Sequence, residues 1–119
     1  MRCRSCAPLP EEIRRAADLL EGRWTVSIIV ASHEGAIRFN EFLQMLGRIP
    51  PATLASRLTE LEEAGVLERD VIDARPPRVE YRLTARGLRL RAVVTALQIY
   101  ASAESEGGER LSRATNGIS

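Results

Sequence analysis

The 119-residue chain has few of the residues that usually carry chemistry. It holds one histidine, His33, and no Gly-rich loop of the kind that cradles a phosphate. No Ser or Cys stands with a His and a carboxylate in a recognisable pattern, so an enzymatic reading has nothing to build on. The only cysteines, Cys3 and Cys6, lie close together near the start. That excludes a long-range disulfide framework and leaves stability to packing. Aromatic residues make up 4% of the chain, too few for a surface that stacks single-stranded bases on exposed rings. Trp24 is assigned to the core, and His33 to stabilising the end of its helix. The longest apolar runs, around Val26 to Ala31 and Ala92 to Leu97, fall far short of the ~20 residues of a membrane span. No charged-then-apolar leader opens the sequence, so no membrane role and a cytosolic location are expected. Net charge is missing too: 17 basic residues, all Arg, meet 16 acids at a formal +1. This balance alone does not point to nucleic acid, and the absence of lysine carries no functional weight.

The length admits one domain, large enough to bury about two thirds of its unfolded surface. The expected layout is a flexible arm over residues 1–9, a single domain over 10–106 and a flexible tail over 107–119. Pro8-Leu9-Pro10 breaks the chain before Glu11 and Glu12, acids that suit the first turn of a helix carrying Ile13, Ala16, Ala17 and Leu20 on one stripe. After Gly22, a more fully buried helix runs from Trp24 through Ile28 and Ala31 to about His33-Glu34-Gly35. Ala36-Ile37-Arg38 reads as a short extended link. Phe39 to Leu46 gives two helical turns with Phe39, Phe42, Leu43 and Leu46 inward, stopped by Gly47.

The most informative stretch is Leu54 to Gly87. Leu54, Leu58 and Leu61 share one helical face, while Thr53, Ser56, Arg57 and Glu60 fall on the other, and Gly65 closes the helix. Val66 to Ile72 then carries enough branched apolar residues for a strand, and Val79 to Leu83 alternates strictly, with Val79, Tyr81 and Leu83 apolar. Pro76 and Pro77 cannot donate ladder hydrogen bonds, so the tip between the strands is a stiff loop holding Arg75 and Arg78. Helix, turn, helix and a basic two-stranded wing outline a winged helix-turn-helix, a module that reads duplex DNA. The second helix is the recognition helix. Pro51 suits its first turn, and Ala52, Thr53, Ser56 and Arg57 offer a methyl, two hydroxyls and a guanidinium fork to base edges.

Charge agrees once it is localised. Between Arg69 and Arg91 seven arginines meet only three acids, a local excess of four, while acids gather at Glu60, Glu62, Glu63 and at Glu104, Glu106, Glu109. A one-sided basic patch is what phosphate contact with counterion release requires. Arg82, Arg86 and Arg89 fit ordinary solvated surface equally well; Arg75 and Arg78, on the stiff tip, are the better candidates for grip.

Four motifs occur in order: Gly22-Arg23-Trp24, Arg38-Phe39-Asn40-Glu41, Leu58-Thr59-Glu60-Leu61-Glu62, and Pro76-Pro77-Arg78-Val79-Glu80-Tyr81-Arg82-Leu83-Thr84. Over about residues 13 to 100 the chain resembles the HxlR family, MarR-related winged-helix transcription regulators of bacteria. The resemblance implies a mainly α fold with a small β-wing (α+β) and N- and C-terminal dimerisation helices. It further implies a homodimer that binds operator DNA, often an inverted repeat near its own promoter, with repression the expected sense. Control by a small-molecule effector or by thiol oxidation is implied as well. Arg38 and Asn40 join Pro51, Ala52, Thr53, Ser56, Arg57, Arg75 and Arg78 as the expected DNA-binding set. No cofactor and no metal is expected. A winged-helix module that binds protein and not DNA stays open as the alternative.

Dimerisation also has support in the residues themselves. A C-terminal helix starting at Thr84, a sound N-cap, carries Leu90, Val93, Val94, Leu97, Tyr100 and Ala101 at helical spacing. With Ile13, Ala17 and Leu20 this is more apolar surface than a small winged helix covers alone, although part of it packs on its own domain. The expected interface is Ile13, Ala17, Leu20, Leu90, Val94, Leu97 and Tyr100. A two-fold dimer places two recognition helices roughly 34 Å apart, or a multiple of it. Cys3 and Cys6 are the redox-sensing candidates. Family members that sense electrophiles use a cysteine upstream of a Gly-Lys-Trp-like motif, directly before a Pro; here Cys6-Ala7-Pro8 lies further upstream. Arg2 and Arg4 favour a thiolate nearby, while inert thiols and a zinc site completed by His33, carboxylates or a second chain remain alternatives.

Overall fold

The structure, a computed structural model, describes residues 6–114. Six helices and two strands follow in the order α1 (Glu11–Leu20), α2 (Thr25–His33), α3 (Phe39–Leu46), α4 (Pro51–Glu63), β1 (Leu67–Ile72), β2 (Arg78–Leu83), α5 (Ala85–Leu88) and α6 (Arg91–Ala114). The architecture is the winged helix-turn-helix expected from the pattern, mostly helical with a two-stranded antiparallel wing.

Local chemistry sets the boundaries. The Pro10 carbonyl accepts from the N–H groups of Ile13 and Arg14, both at 3.1 Å, which starts α1. Two helices end in the same way. Past α2, Gly35 takes φ 111 and the Ala36 N–H donates to the Ala31 carbonyl; past α4, Gly65 takes φ 77 and the Val66 N–H donates to the Leu61 carbonyl at 2.9 Å. Both are Schellman closures, and a left-handed residue there favours glycine because a Cβ would crowd the following carbonyl. At the start of α3 the Glu41 carboxylate accepts the N–H groups of Ile37 and Arg38, each at 2.9 Å. Those two bonds, Ile37 first, hold its carboxyl below the usual carboxylate range.

The core is built from Ile28 and Ile29 of α2, Phe42 of α3, Leu54, Leu58 and Leu61 of α4, and Val66 and Leu67 at the base of the wing. Each such side chain contributes on the order of 1.5–3 kcal/mol by burial, so the faces of α2, α3 and α4 are fixed relative to one another. The wing pairs Leu67 with Leu83 through Ile72 with Arg78. The Tyr81 N–H also donates to the Ile37 carbonyl at 2.7 Å, so the extended link between α2 and α3 lies along β2 and fastens the wing to the helices.

Three features depart from the sequence pattern. The helix expected to begin at Thr84 is interrupted. Thr84 does cap it, its hydroxyl accepting from the Gly87 N–H at 3.0 Å, but α5 stops at Leu88 and the long helix starts at Arg91. Gly87 is buried against the Val66 carbonyl and the Leu83 side chain, where a Cβ would collide, so α5 is wedged on the wing base and the chain turns before α6 can bring Val94 into the core. Second, the last helix is longer than the apolar stripe from Leu90 to Ala101 that marked it, running to Ala114. Third, Val79, Tyr81 and Leu83 are only half-buried, and the most buried residue of β2 is Glu80, at 4% exposure. The strand lies against α2 and α3, and Glu80 is accommodated there by an ion pair with the Arg82 guanidinium at 2.6 Å.

Candidate nucleic-acid interface

The turn from Gly47 to Pro50 joins α3 to α4 in the helix-turn-helix arrangement. Gly47 ends α3 at φ 70, and Pro51 occupies the first turn of α4, where a missing N–H costs nothing. Leu54, Leu58 and Leu61 anchor α4 in the core, which turns Pro51, Ala52 and Ser56 to solvent and leaves Thr53 half-buried. Arg38 and Asn40 are exposed at the start of α3.

Arg57 is placed differently from the freely projecting fork that the helical pattern implies. Its Nε donates to the Arg23 carbonyl at 2.8 Å, and its Nη1 donates to both carboxylate oxygens of Glu60, at 3.0 and 3.2 Å. The guanidinium is half-buried and committed to these partners. It therefore ties α4 to the Gly22-Arg23-Trp24 turn. Among the other polar residues of α4, the Thr59 hydroxyl is also occupied, donating to the Ala55 carbonyl at 3.1 Å.

At the wing, Arg75 lies in the loop and Arg78 at the first position of β2, both exposed. Neither enters a salt bridge among the described residues, whereas Arg82 is held by Glu80. The two arginines assigned to grip are thus uncompensated, and the third is internally paired.

The sequence reading missed a recess of about 530 Å³ beside α4, lined by Arg23, Trp24, Arg48, Pro50, Thr53 and Arg57. The Gly22-Arg23-Trp24 motif marked one wall of it, but no periodicity links that turn to Arg48 or to α4. His33 donates its Nδ1–H to the Ile29 carbonyl at 2.9 Å in the last turn of α2, the helix-end role assigned to it.

The apolar set on the terminal helices divides in two. Val94 is buried in the chain's own core, and Leu20 and Leu90 pack against it half-buried. Ala17 is half-buried on α1. Ile13, Leu97 and Tyr100 are exposed at 52%, 40% and 62%, and Ile99, absent from the stripe, at 67%. Ala92, Val93, Ala96, Leu97 and Tyr100 form a shallow apolar recess along α6. Cys6 is exposed with φ 49, and Cys3 lies outside the described residues. Among the described residues no group of three or more His, Cys, Asp or Glu is arranged to hold a metal ion, and no helix is long and apolar enough to cross a membrane.

Comparison with known proteins agrees with this geometry. The family model of the HxlR-like helix-turn-helix matches residues 19–108. A helix-turn-helix-type transcriptional regulator of Synechocystis is 38% identical over 85 residues, covering 71% of this chain and 63% of that protein, so the chain spans less than two thirds of that relative. The helix-turn-helix-type transcriptional regulator YodB of Bacillus subtilis is 36% identical over 98 residues, 82% of this chain and 88% of YodB. The solved reduced form of YodB superposes with a TM-score of 0.69 at 35% identity, over 79% of this chain and 92% of that one. The redox regulator HypR in its reduced form gives 0.74 at 29% identity, over 84% and 99%.

Proposed function

Because this chain belongs to the HxlR-like helix-turn-helix family, we propose that it is a homodimeric transcriptional repressor that binds duplex operator DNA. In this reading α4 enters the major groove with Ala52, Thr53 and Ser56 towards base edges, flanked by Pro51, Arg38 and Asn40. Arg75 and Arg78 of the wing take backbone phosphates. The observation that carries the reading is the α3–turn–α4 unit continuous with a wing whose two loop-end arginines have no acidic partner among the described residues.

Dimerisation is supported by the shape of the chain and by α6. A compact domain of this length has a radius of gyration of about 13.5 Å, whereas the structure has 18.2 Å, and along α6 Leu97, Ile99 and Tyr100 are uncovered. A second copy placed along α6 and Ile13 covers them. Control by an effector is supported by a cleft of about 750 Å³ between α1, the end of α4 and α5, where Leu19 and Leu90 meet Arg86 and Arg89. Control by thiol oxidation is supported by the likeness to HypR and by the exposed position of Cys6. Its test is release of bound DNA by diamide from the native chain and not from Cys3→Ser/Cys6→Ser; equal release from both removes the thiols from the account.

Selection of bound fragments from the host genome tests the main reading. Enriched duplexes should carry inverted repeats with half-site centres one helical turn apart, roughly 34 Å, or a multiple of it. A folded dimer that enriches no duplex overturns DNA binding and leaves the winged helix as a protein-interaction module.

A further inference from the structure

We infer that the recess beside α4 is a seat for one phosphate group of the DNA backbone, held by Arg23 and Arg48. This rests on the DNA-binding reading above and adds a third point of contact between the recognition helix and the duplex. Three arginines line the recess and no acid does. Arg57 is already neutralised by Glu60, which faces it from one helical turn along α4. Neither Arg23 nor Arg48 enters a salt bridge among the described residues, so they bring two positive charges to one concave site, which favours an anion there.

The wall carrying Arg23 is held in place. The Arg57 Nε–H clasps the Arg23 carbonyl, so the turn moves with α4. The Arg23 guanidinium lies 5.6 Å from the centre of the Trp24 ring, which restricts its swing. Trp24 itself adopts φ 75, which is costly for a bulky side chain and persists only where its surroundings fix it. At Gly22 a Cβ would sit 2.7 Å from the Thr25 hydroxyl, so the turn is closed on both sides. Arg57 is accordingly a positioning residue. Arg48 approaches from the turn between α3 and α4, its N–H donating to the Leu46 carbonyl at 2.8 Å. Thr53, on the outward side of α4, borders the same recess, so an anion seated there flanks whatever Thr53 and Ser56 read. Two guanidinium forks suit the tetrahedral oxygens of a phosphate.

The chemistry recognised is a phosphate oxyanion, and the backbone is distinguished from a free ion by experiment. The full-length chain is titrated with a labelled duplex of about 30 base pairs at salt from about 50 to about 200 mM, comparing native, Arg23→Ala/Arg48→Ala and Arg23→Lys/Arg48→Lys proteins. Loss of one phosphate contact lowers the slope of log K against log salt by about 0.9, so the double alanine variant should lose roughly 3.5-fold less affinity across that fourfold range. The lysine variant, which keeps the charge, should retain the native slope. Both residues are exposed, and circular dichroism of each variant checks its fold before titration. An alanine variant with native slope and affinity, beside a native protein that binds duplex, overturns the seat and leaves the main reading intact. A native slope accompanied by thermal stabilisation from inorganic phosphate in the native chain alone assigns the recess to a free anion, which also overturns the backbone assignment. A native chain that binds no duplex at all overturns the DNA reading on which both depend.

Discussion

Thr84 joins the end of the recognition helix, the end of the wing and the start of α5, and replacing it by Val should loosen all three together. Its hydroxyl donates to the Gly65 carbonyl at 2.5 Å, lies 3.2 Å from the Val66 carbonyl, and accepts from the Gly87 N–H at 3.0 Å. Valine keeps the volume and the β-branch, and the extended backbone at φ −78, ψ 175 suits it. Only the hydrogen bonds are lost. Removing the N-cap costs about 1 kcal/mol, and leaving the Gly65 carbonyl without its donor about 1 kcal/mol more. A chain of this length has an unfolding entropy of about 0.25 kcal/mol per kelvin, so a loss of about 2 kcal/mol lowers the melting temperature by about 8 °C. Thermal unfolding followed by circular dichroism reads this directly, at one fixed protein concentration because association shifts the midpoint. Thr84→Ser, which restores the hydroxyl, should recover most of the loss. A Thr84→Val midpoint within about 2 °C of native would show that these hydrogen bonds contribute little and that packing of Gly87 alone holds α5.

At the wing, Arg75→Ala/Arg78→Ala should flatten the salt slope by about 1.8, so that the affinity lost between about 50 and about 200 mM shrinks roughly 12-fold; an unchanged slope removes the wing from the contact surface. Along α6, Leu97→Glu/Tyr100→Ala removes about 3 kcal/mol or more of apolar burial per protomer and should convert a micromolar dimer to monomer by sedimentation. A variant that sediments as a dimer places the interface elsewhere. For Glu41, whose carboxyl is held low by two backbone N–H groups, the stabilisation is present above the ordinary carboxylate range and is lost as pH falls through the lowered folded value. Glu41→Gln should therefore reduce stability at neutral pH and flatten the acid limb of the stability profile. An identical pH profile would refute the clamp.

The fold was legible because its punctuation is local. Gly47 and Gly65 each end a helix with a left-handed residue, and the Leu54, Leu58, Leu61 spacing fixes the buried face of α4 whatever it packs against. The failures occur where a distant partner decides. Helical periodicity puts Arg57 on the outside of α4, and only the fold brings the Arg23 carbonyl, 34 residues earlier, within reach of its Nε. Alternation along β2 puts the apolar Val79, Tyr81 and Leu83 on one face, yet burial is greatest at Glu80 on the other, where the strand meets α2 and α3 and Arg82 supplies the counter-charge. The break before α6 has no Gly or Pro at Arg89-Leu90 to announce it, because its cause is the contact between Gly87 and the Val66 carbonyl. A stripe on a helix likewise does not say which part of it the chain's own core will take: Val94 is buried there, and Leu90 packs against it half-buried.

The central claim is that two copies of α4 and its wing grip duplex DNA from one side, and a hydroxyl-radical and methylation footprint on a genome-selected fragment tests it most directly. The account predicts two symmetric patches of backbone protection, each with a major-groove segment shielded from methylation, centred roughly 34 Å or a multiple of it apart. Protection confined to a single patch, or none at concentrations where the chain is folded and dimeric, would contradict it.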